Sequence, residues 1–330
     1  MVLCSTFRRT GPWGAGAGSQ LIGVLVTSRI HILPEGEQEL VSGLEAQGAD
    51  VVGADERPTG VVVTGMFKSF NLEEVLEQNP QVEWVQLPSA GIEKYGQILR
   101  RFPERLWTSA KGSYAAPVGE HGLLLTLAAL RGLKARAKAT SWGDEGGISL
   151  NGLRCVVLGA GGVAAEMVRL YKAFDTHVTV VRRTETPLEG ADRTVSQDRL
   201  EEALEGADVL ALAAAVTPAT EKMIGAEQLA LLADGAVVSN VGRGRLIDHD
   251  ALVDALRSGK LRGAGLDVTE PEPLPEGHPL WELENCLITP HTADTKAMVV
   301  PLLRERILEN HRRLRDGEPP VGVVDPAQGY

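Results

Sequence analysis

Short apolar runs recur along this 330-residue chain, each bounded by glycine, proline or polar residues and followed by a stretch with helical spacing. In the first third the runs at 21–26, 61–64, 84–87 and 106–108 alternate with stretches such as 72–77. Strands buried on both faces read as continuous apolar runs, and parallel pairing needs a helix to cross between them, so this rhythm predicts βαβ units. Near Ser113 the pattern changes. Residues 120–130 are rich in Leu and Ala and close on Arg131-Gly132, which predicts a buried helix with a glycine stop crossing into a second domain. A stronger series of five strands then follows at 154–158, 177–181, 209–213, 236–239 and 263–266, with helices between them, and predicts a doubly wound sheet. Residues 296–314 have a helical pattern broken by Gly317-Glu318-Pro319-Pro320. That last helix is expected to return to the first domain, making it discontinuous: 1–112 with 296–330 around 113–295.

Three polar residues follow apolar runs in the second series. Arg243 stands in Asn240-Val241-Gly242-Arg243-Gly244 after 236–239, Glu272 in Glu270-Pro271-Glu272-Pro273 after 263–266, and His291 in Pro290-His291 after 286–288. Open α/β sheets place their ligand crevices at strand ends, and this trio has the chemistry to hold a carboxylate and move a proton. Taken singly, such acids and arginines are more often surface ion pairs; in this order they form a candidate site.

Val156-Val157-Leu158 runs directly into Gly159-Ala160-Gly161-Gly162-Val163-Ala164, and 166–172 continues as a helix. In that context the glycines have separate uses. Gly159 permits the tight turn, Gly161 lets the main chain approach a pyrophosphate, and Ala164 allows close helix–strand packing while the helix N-terminus faces the anion. The next strand ends Val181-Arg182-Arg183-Thr184, where an Asp or Glu would bind a ribose 2′-hydroxyl. Two guanidinium groups suit a 2′-phosphate instead, so NADP(H) is expected over NAD(H), which stays possible because strand ends often carry solvated arginine.

Composition narrows the alternatives. With 43% hydrophobic and 23% charged residues the chain is an ordinary globular one, and no apolar run nears the roughly 18 residues that span a bilayer, so no membrane association is expected. A net charge of −11 and only 4% aromatics serve neither phosphate neutralisation nor base stacking, so no nucleic acid partner is expected. Cys4, Cys155 and Cys286 are scattered, without metal-ligand spacing, so no metal is expected and a reducing, cytoplasmic location is. The first 33 residues lack Asp and Glu but contain Arg8, Arg9 and Arg29. A transit peptide could look like this; a disordered extension over 1–19 followed by a strand at 21–27 is the preferred reading.

From about residue 87 to 294 the chain resembles the D-isomer-specific 2-hydroxyacid dehydrogenases, of the glyoxylate or hydroxypyruvate reductase kind. The stretches Leu87-Pro88-Ser89-Ala90-Gly91-Ile92, Gly119-Glu120-His121-Gly122, Thr217-Pro218, Asn240-Val241-Gly242-Arg243-Gly244, Leu266-Asp267-Val268 with Glu272-Pro273, and Pro290-His291 carry the likeness. It implies an α/β fold of two parallel-sheet domains, a Rossmann nucleotide-binding domain inserted into a smaller flavodoxin-like substrate domain. It also implies roles. Arg243 clamps the substrate carboxylate and polarises the 2-oxo group, His291 is the general acid and base, and Glu272 orients it. The main-chain N–H groups of Ala90 and Gly91 hold the carboxylate from the small domain, in a cleft between domains. Gly159, Gly161, Gly162, Val163, Arg182, Arg183, Thr184, Thr217, Pro218, Val241, Asp267 and His291 contact the cofactor, Asp267 at the nicotinamide amide. A homodimer through the crossover helix and the arm at 135–152 is implied as well.

Three departures stand out: Ala213-Ala214-Ala215-Val216 before Thr217, Ala293 two residues after His291, and Met66-Phe67-Lys68 in the loop that faces the substrate. Rival readings are a dinucleotide-sensing or co-repressor-like interaction protein on the same fold, and an NAD-dependent D-2-hydroxyacid dehydrogenase. A short-chain dehydrogenase would show Tyr-x-x-x-Lys, and Tyr95, Tyr114 and Tyr171 lack that lysine. The reading expected is a reductase moving a hydride between NADP(H) and C2 of a small 2-oxoacid.

Overall fold

The computed structural model describes residues 28–65, 70–143 and 145–326. The chain divides into two compact units, Met1–Ser113 with Val299–Tyr330, and Tyr114–Met298. The extension at 1–19, the expected strand at 21–27 and the loop 66–68 lie outside the described residues.

The first unit is a five-stranded parallel sheet of β1 (Arg29–Leu33), β2 (Asp50–Val51), β3 (Gly60–Val63), β4 (Trp84–Gln86) and β5 (Leu106–Thr108), in the order β2-β1-β3-β4-β5. This is the flavodoxin-like order. Strand β1 does not read as an apolar run because Arg29 and His31 interrupt it. Both side chains turn to the sheet edge, where Arg29 reaches the Asp50 carboxylate at 3.1 Å and His31 Nδ1 lies 3.0 Å from the Val52 carbonyl. Helices α1 (Gln38–Ala46), α2 (Leu72–Gln78) and α3 (Gly96–Arg101) connect the strands. Asn71 starts α2 by accepting from Glu74 N–H, with Glu73 and Glu74 complementing the positive end of the helix. Within this unit the C-terminal chain docks firmly. Asn310 donates to Gln86 Oε1 and to the Val321 carbonyl, and Leu308 packs where Gly43 leaves no Cβ.

The second unit carries seven parallel strands, the five of the series, the run at 286–288 and one not expected, β8: β6 (Arg154–Leu158), β7 (His177–Arg182), β8 (Arg193–Ser196), β9 (Val209–Leu212), β10 (Ala236–Asn240), β11 (Leu261–Leu266) and β12 (Cys286–Ile288). Their order is β12-β11-β10-β9-β6-β7-β8, with the reversal beside β6 that marks a doubly wound Rossmann sheet. The apolar run at 286–288 completes one edge. At the other, β8 buries only Val195, so its sequence lacks the run that marks the central strands. The parallel two-sheet α/β class is the one expected.

Helix α4 (Ala115–Arg131) starts five residues before the apolar stretch suggests and ends where Gly132 takes a left-handed φ of 59°. It is followed by the short α5 (Leu133–Ala137). Glycines set the approach of α4 to α6 (Gly162–Lys172): a Cβ on Gly119 would lie 2.6 Å from Glu166 Cγ, and one on Gly122 2.6 Å from Met167 Cε. Between these helices and β10, Thr126 Oγ1 lies 2.6 Å from the Tyr171 hydroxyl and donates to Ser239 at 3.0 Å, so the buried hydroxyls are satisfied. Helices α7 (Leu200–Leu204), α8 (Ala226–Leu231), α9 (His249–Arg257) and α10 (Pro279–Glu282) complete the unit, and α11 (Lys296–Arg315) leads out of it. Cys155 and Cys286 are free and buried, and burial pushes both thiols up to about 12, which leaves them inert at neutral pH. Among the described residues no helix is long and apolar enough to cross a membrane, and no group of His, Cys, Asp and Glu could hold a metal ion.

Candidate active site

The loops after β10, β11 and β12, three neighbouring strands, carry Arg243, Glu272 and His291. The first turn is built by Asn240, which is fully buried. Its Oδ1 accepts from Gly242 N–H at 3.0 Å and its Nδ2 donates to the Arg243 carbonyl at 2.9 Å. Gly244 is obligatory here, because a Cβ would lie 2.0 Å from the Thr269 carbonyl. The Arg243 guanidinium, a group of five donors, gives one of them to the Gly242 carbonyl at 2.8 Å.

The turn that carries His291 is held from β11. His291 has a left-handed φ of 51°, a conformation that costs a non-glycine residue about 1–2 kcal/mol. Its N–H donates to the Asp267 carbonyl at 2.8 Å, and the Asp267 carboxylate accepts from Thr289 Oγ1, Thr292 N–H and Ala293 N–H at 2.5, 2.9 and 3.1 Å. Asp267 is buried. Burial alone would raise its carboxyl, but bonds from His121, Thr289 and the two amides outweigh that and hold it below the usual carboxylate range. His291 Nδ1 then meets Glu272 Oε1 in a close hydrogen bond, which orients the ring and turns Nε2 away from the carboxylate. A pocket of about 290 Å³ opens here, lined by Glu272 and His291 with Leu274, Trp281 and Ile288 among its apolar walls.

Asp294 adds a further carboxylate. Burial pushes it above the usual range and Asp267 adds to that, while His291 and Arg243 pull it back, so both catalytic candidates act on one half-buried acid. A carboxyl whose pKa is raised by folding contributes stability below its unfolded value of about 3.9 and loses it as pH rises through the folded value. Asp294→Asn keeps a neutral side chain at every pH. Its melting temperature is expected to exceed that of the parent at pH 7 and to converge with it near pH 3; equal melting temperatures at pH 7 would contradict the burial argument.

The glycine-rich turn lies at the end of β6. Gly159 has φ 120°, and a Cβ on it would stand 2.7 Å from the Ala213 carbonyl oxygen, so only glycine fits. A Cβ on Gly161 would meet nothing within 4 Å, which leaves open space over the N-terminus of α6, where Gly161 and Gly162 are exposed and Ala164 is fully buried. The turn therefore fits a dinucleotide pyrophosphate. At the end of β7, Arg182 donates to the Thr186 carbonyl at 3.0 Å, and Arg183 and Thr184 are exposed. Glu185, two residues beyond Arg183 in the chain, pairs with Arg199 at 3.1 Å. Thr217 opens a tight turn through Thr220 after β9, Pro218 is exposed on it, and Val241 packs near Gly122. Main chain at Ala213 and Ala214 lies against Gly159 and Gly242, a close fit that small residues permit.

In the first unit, Ala90 and Gly91 follow β4, with Ala90 exposed. Ser89 Oγ closes the loop by donating to the Gly91 carbonyl at 2.6 Å. Among the described residues no hydrogen bond engages the N–H of either Ala90 or Gly91. Asn240, His121 and Thr289 are contributors to which residue type and spacing gave no role, although Asn240 and His121 stand in stretches that carry the resemblance.

The family model described as "D-isomer specific 2-hydroxyacid dehydrogenase, NAD binding domain" matches residues 122–293. The chain is 38% identical over 258 residues to an uncharacterized protein from the proB 3′ region of Corynebacterium melassecola, covering 76% of this chain and 84% of that one. It is 34% identical over 182 residues to a glyoxylate reductase of Korarchaeum cryptofilum, covering 54% of each. The chain thus spans about half the length of that reductase. Among solved structures, a D-isomer specific 2-hydroxyacid dehydrogenase from Xanthobacter autotrophicus Py2, in complex with NADPH and MES, superposes with a TM-score of 0.76 at 27% identity over 92% of this chain and 99% of the other.

Proposed function

This chain belongs to the D-isomer specific 2-hydroxyacid dehydrogenase family, and on that premise we propose that it is an NADP(H)-preferring reductase of a small 2-oxoacid, of the glyoxylate or hydroxypyruvate kind. The observation that carries the reading is the His291–Glu272 hydrogen bond beside Arg243 on adjacent strand ends. In this reading Arg243 binds the substrate carboxylate and polarises the 2-oxo group with its fork of donors. His291 Nε2 gives its proton to the oxygen as the carbonyl becomes a hydroxyl, and takes it back in the oxidative direction. Glu272 remains a carboxylate throughout, fixing the ring through Nδ1 and stabilising its cationic form.

When bound, the dinucleotide supplies or accepts the hydride at C2. Gly159, Gly161, Gly162 and Val163 would hold its pyrophosphate, Arg182, Arg183 and Thr184 the 2′-phosphate, and Thr217, Pro218, Val241 and Asp267 the nicotinamide half. The NADPH of the Xanthobacter structure supports the phosphate preference. The protein would act as a cytoplasmic homodimer through α4 and the arm that follows; the exposure of Leu124, Leu133 and Trp142 there supports this.

Steady-state rates with NADPH and NADH against a panel of 2-oxoacids test the reading. NADPH is expected to give the higher kcat/KM on glyoxylate or hydroxypyruvate. Replacing Arg182 and Arg183 together by alanine should cost at least about tenfold with NADPH and little with NADH, since a charge-assisted bond is worth about 1.5–3 kcal/mol. Equal or better use of NADH by the parent protein would overturn the cofactor preference.

A further inference from the structure

We propose that His121, on α4, is a positioning residue for the His291 turn, acting through Thr289 and Asp267; the proposal rests on the reading of His291 as the acid and base. The proton inventory gives the direction. Thr289 Oγ1 has one hydrogen and donates it to Asp267 Oδ1 at 2.5 Å. The contact of 2.9 Å between Thr289 Oγ1 and His121 Nε2 must therefore be a donation from the ring, which places a proton on Nε2. The same nitrogen stands 3.4 Å from Asp267 Oδ1, and Asp267 is buried, with its side chain 1% exposed.

A continuous relay results. His121 donates to Thr289, Thr289 donates to Asp267, and Asp267 accepts Thr292 N–H and Ala293 N–H through its carboxylate and His291 N–H through its carbonyl. Four ties of the segment from 289 to 293 converge on Asp267, while Thr289 N–H donates to the Leu266 carbonyl and the His291 ring meets Glu272. His291 sits at the middle of that segment in a left-handed conformation that it does not favour, so the ties decide where its ring points. The helix that carries His121 packs against α6 and against strands β10 and β11, and a Cβ on Gly265 would lie 2.7 Å from Leu125 Cβ, so the anchor at the head of the relay is closely packed. Removing one partner of a buried carboxylate leaves it undersatisfied, and the mobile party is then the turn rather than the sheet.

The full-length protein is tested as His121→Phe, His121→Gln, Thr289→Val and Thr289→Ser. Hydrogen exchange of the peptide spanning 289–294, without ligand, is expected to speed up at least about tenfold in the Phe and Val variants. A peptide from β6 should not change, and Gln and Ser, which keep a donor, should restore protection. On the best 2-oxoacid, kcat should fall about tenfold in Phe and Val with KM within about twofold, because positioning of the acid is lost and carboxylate binding is not. Unchanged exchange and unchanged kcat in Thr289→Val, which preserves shape, would overturn the proposal even if His121→Phe fails to fold. Should no 2-oxoacid be turned over by any form, the exchange arm still decides this inference, while the functional reading above falls.

Discussion

Replacing His291 is expected to lower turnover on the best 2-oxoacid at least about 100-fold, the lower range for loss of a general acid. That factor corresponds to about 2.7 kcal/mol of barrier. Asparagine is the better replacement, because residue 291 has φ 51° and asparagine tolerates that region where alanine adds strain of its own. His291→Asn therefore removes the proton donor with little disturbance of the turn that Asp267 holds. Glu272→Gln is the companion variant. It keeps a hydrogen-bonding oxygen for Nδ1 but loses the charge that favours the cationic ring, so its loss should be smaller, and the double variant should be no worse than His291→Asn alone. Turnover near normal in His291→Asn would mean that another group moves the proton.

The α/β class could be read from the sequence because strands buried on both faces advertise themselves as unbroken apolar runs. Val156 to Leu158, Val209 to Leu212 and Ala236 to Val238 are such strands, and all are buried. Strands at a sheet edge, or beside one as β1 is, do not advertise themselves in this way. In β1 the side chains of Arg29 and His31 serve contacts to neighbouring segments, and in β8 a single valine faces the core, so neither pattern stands out. The site divides similarly. Glu272 and His291 stand out as polar residues after strands, yet their direct bond depends on how two loops fold over adjacent strands. His121 and Thr289 are 168 positions apart, and Asn240 acts through a side chain folded back on its own turn. No local rule marks such residues, because their roles arise only when the helix and sheet are packed.

Arg243 is expected to show the largest split between a conservative and a truncating change. A guanidinium can offer a carboxylate and a carbonyl several donors in one plane, and each charge-assisted bond is worth about 1.5–3 kcal/mol. Two such bonds amount to about 3–6 kcal/mol, so Arg243→Ala should lose roughly 10²–10⁴-fold in kcat/KM. Long-range attraction alone would be largely preserved by lysine, which keeps the charge. Arg243→Lys nonetheless sacrifices the fork, and the Asn240 turn with its obligatory Gly244 fixes the backbone so that the shorter donor set cannot be re-aimed by a main-chain shift. Lysine is therefore expected to recover only part of the loss, with KM restored more than kcat, because charge holds the carboxylate in ground and transition state alike whereas the fork acts on the oxygen where charge develops. A lysine variant with parental kcat/KM would show that charge, not geometry, is what this strand end supplies, and the carbonyl-polarising role would have to be given to another donor.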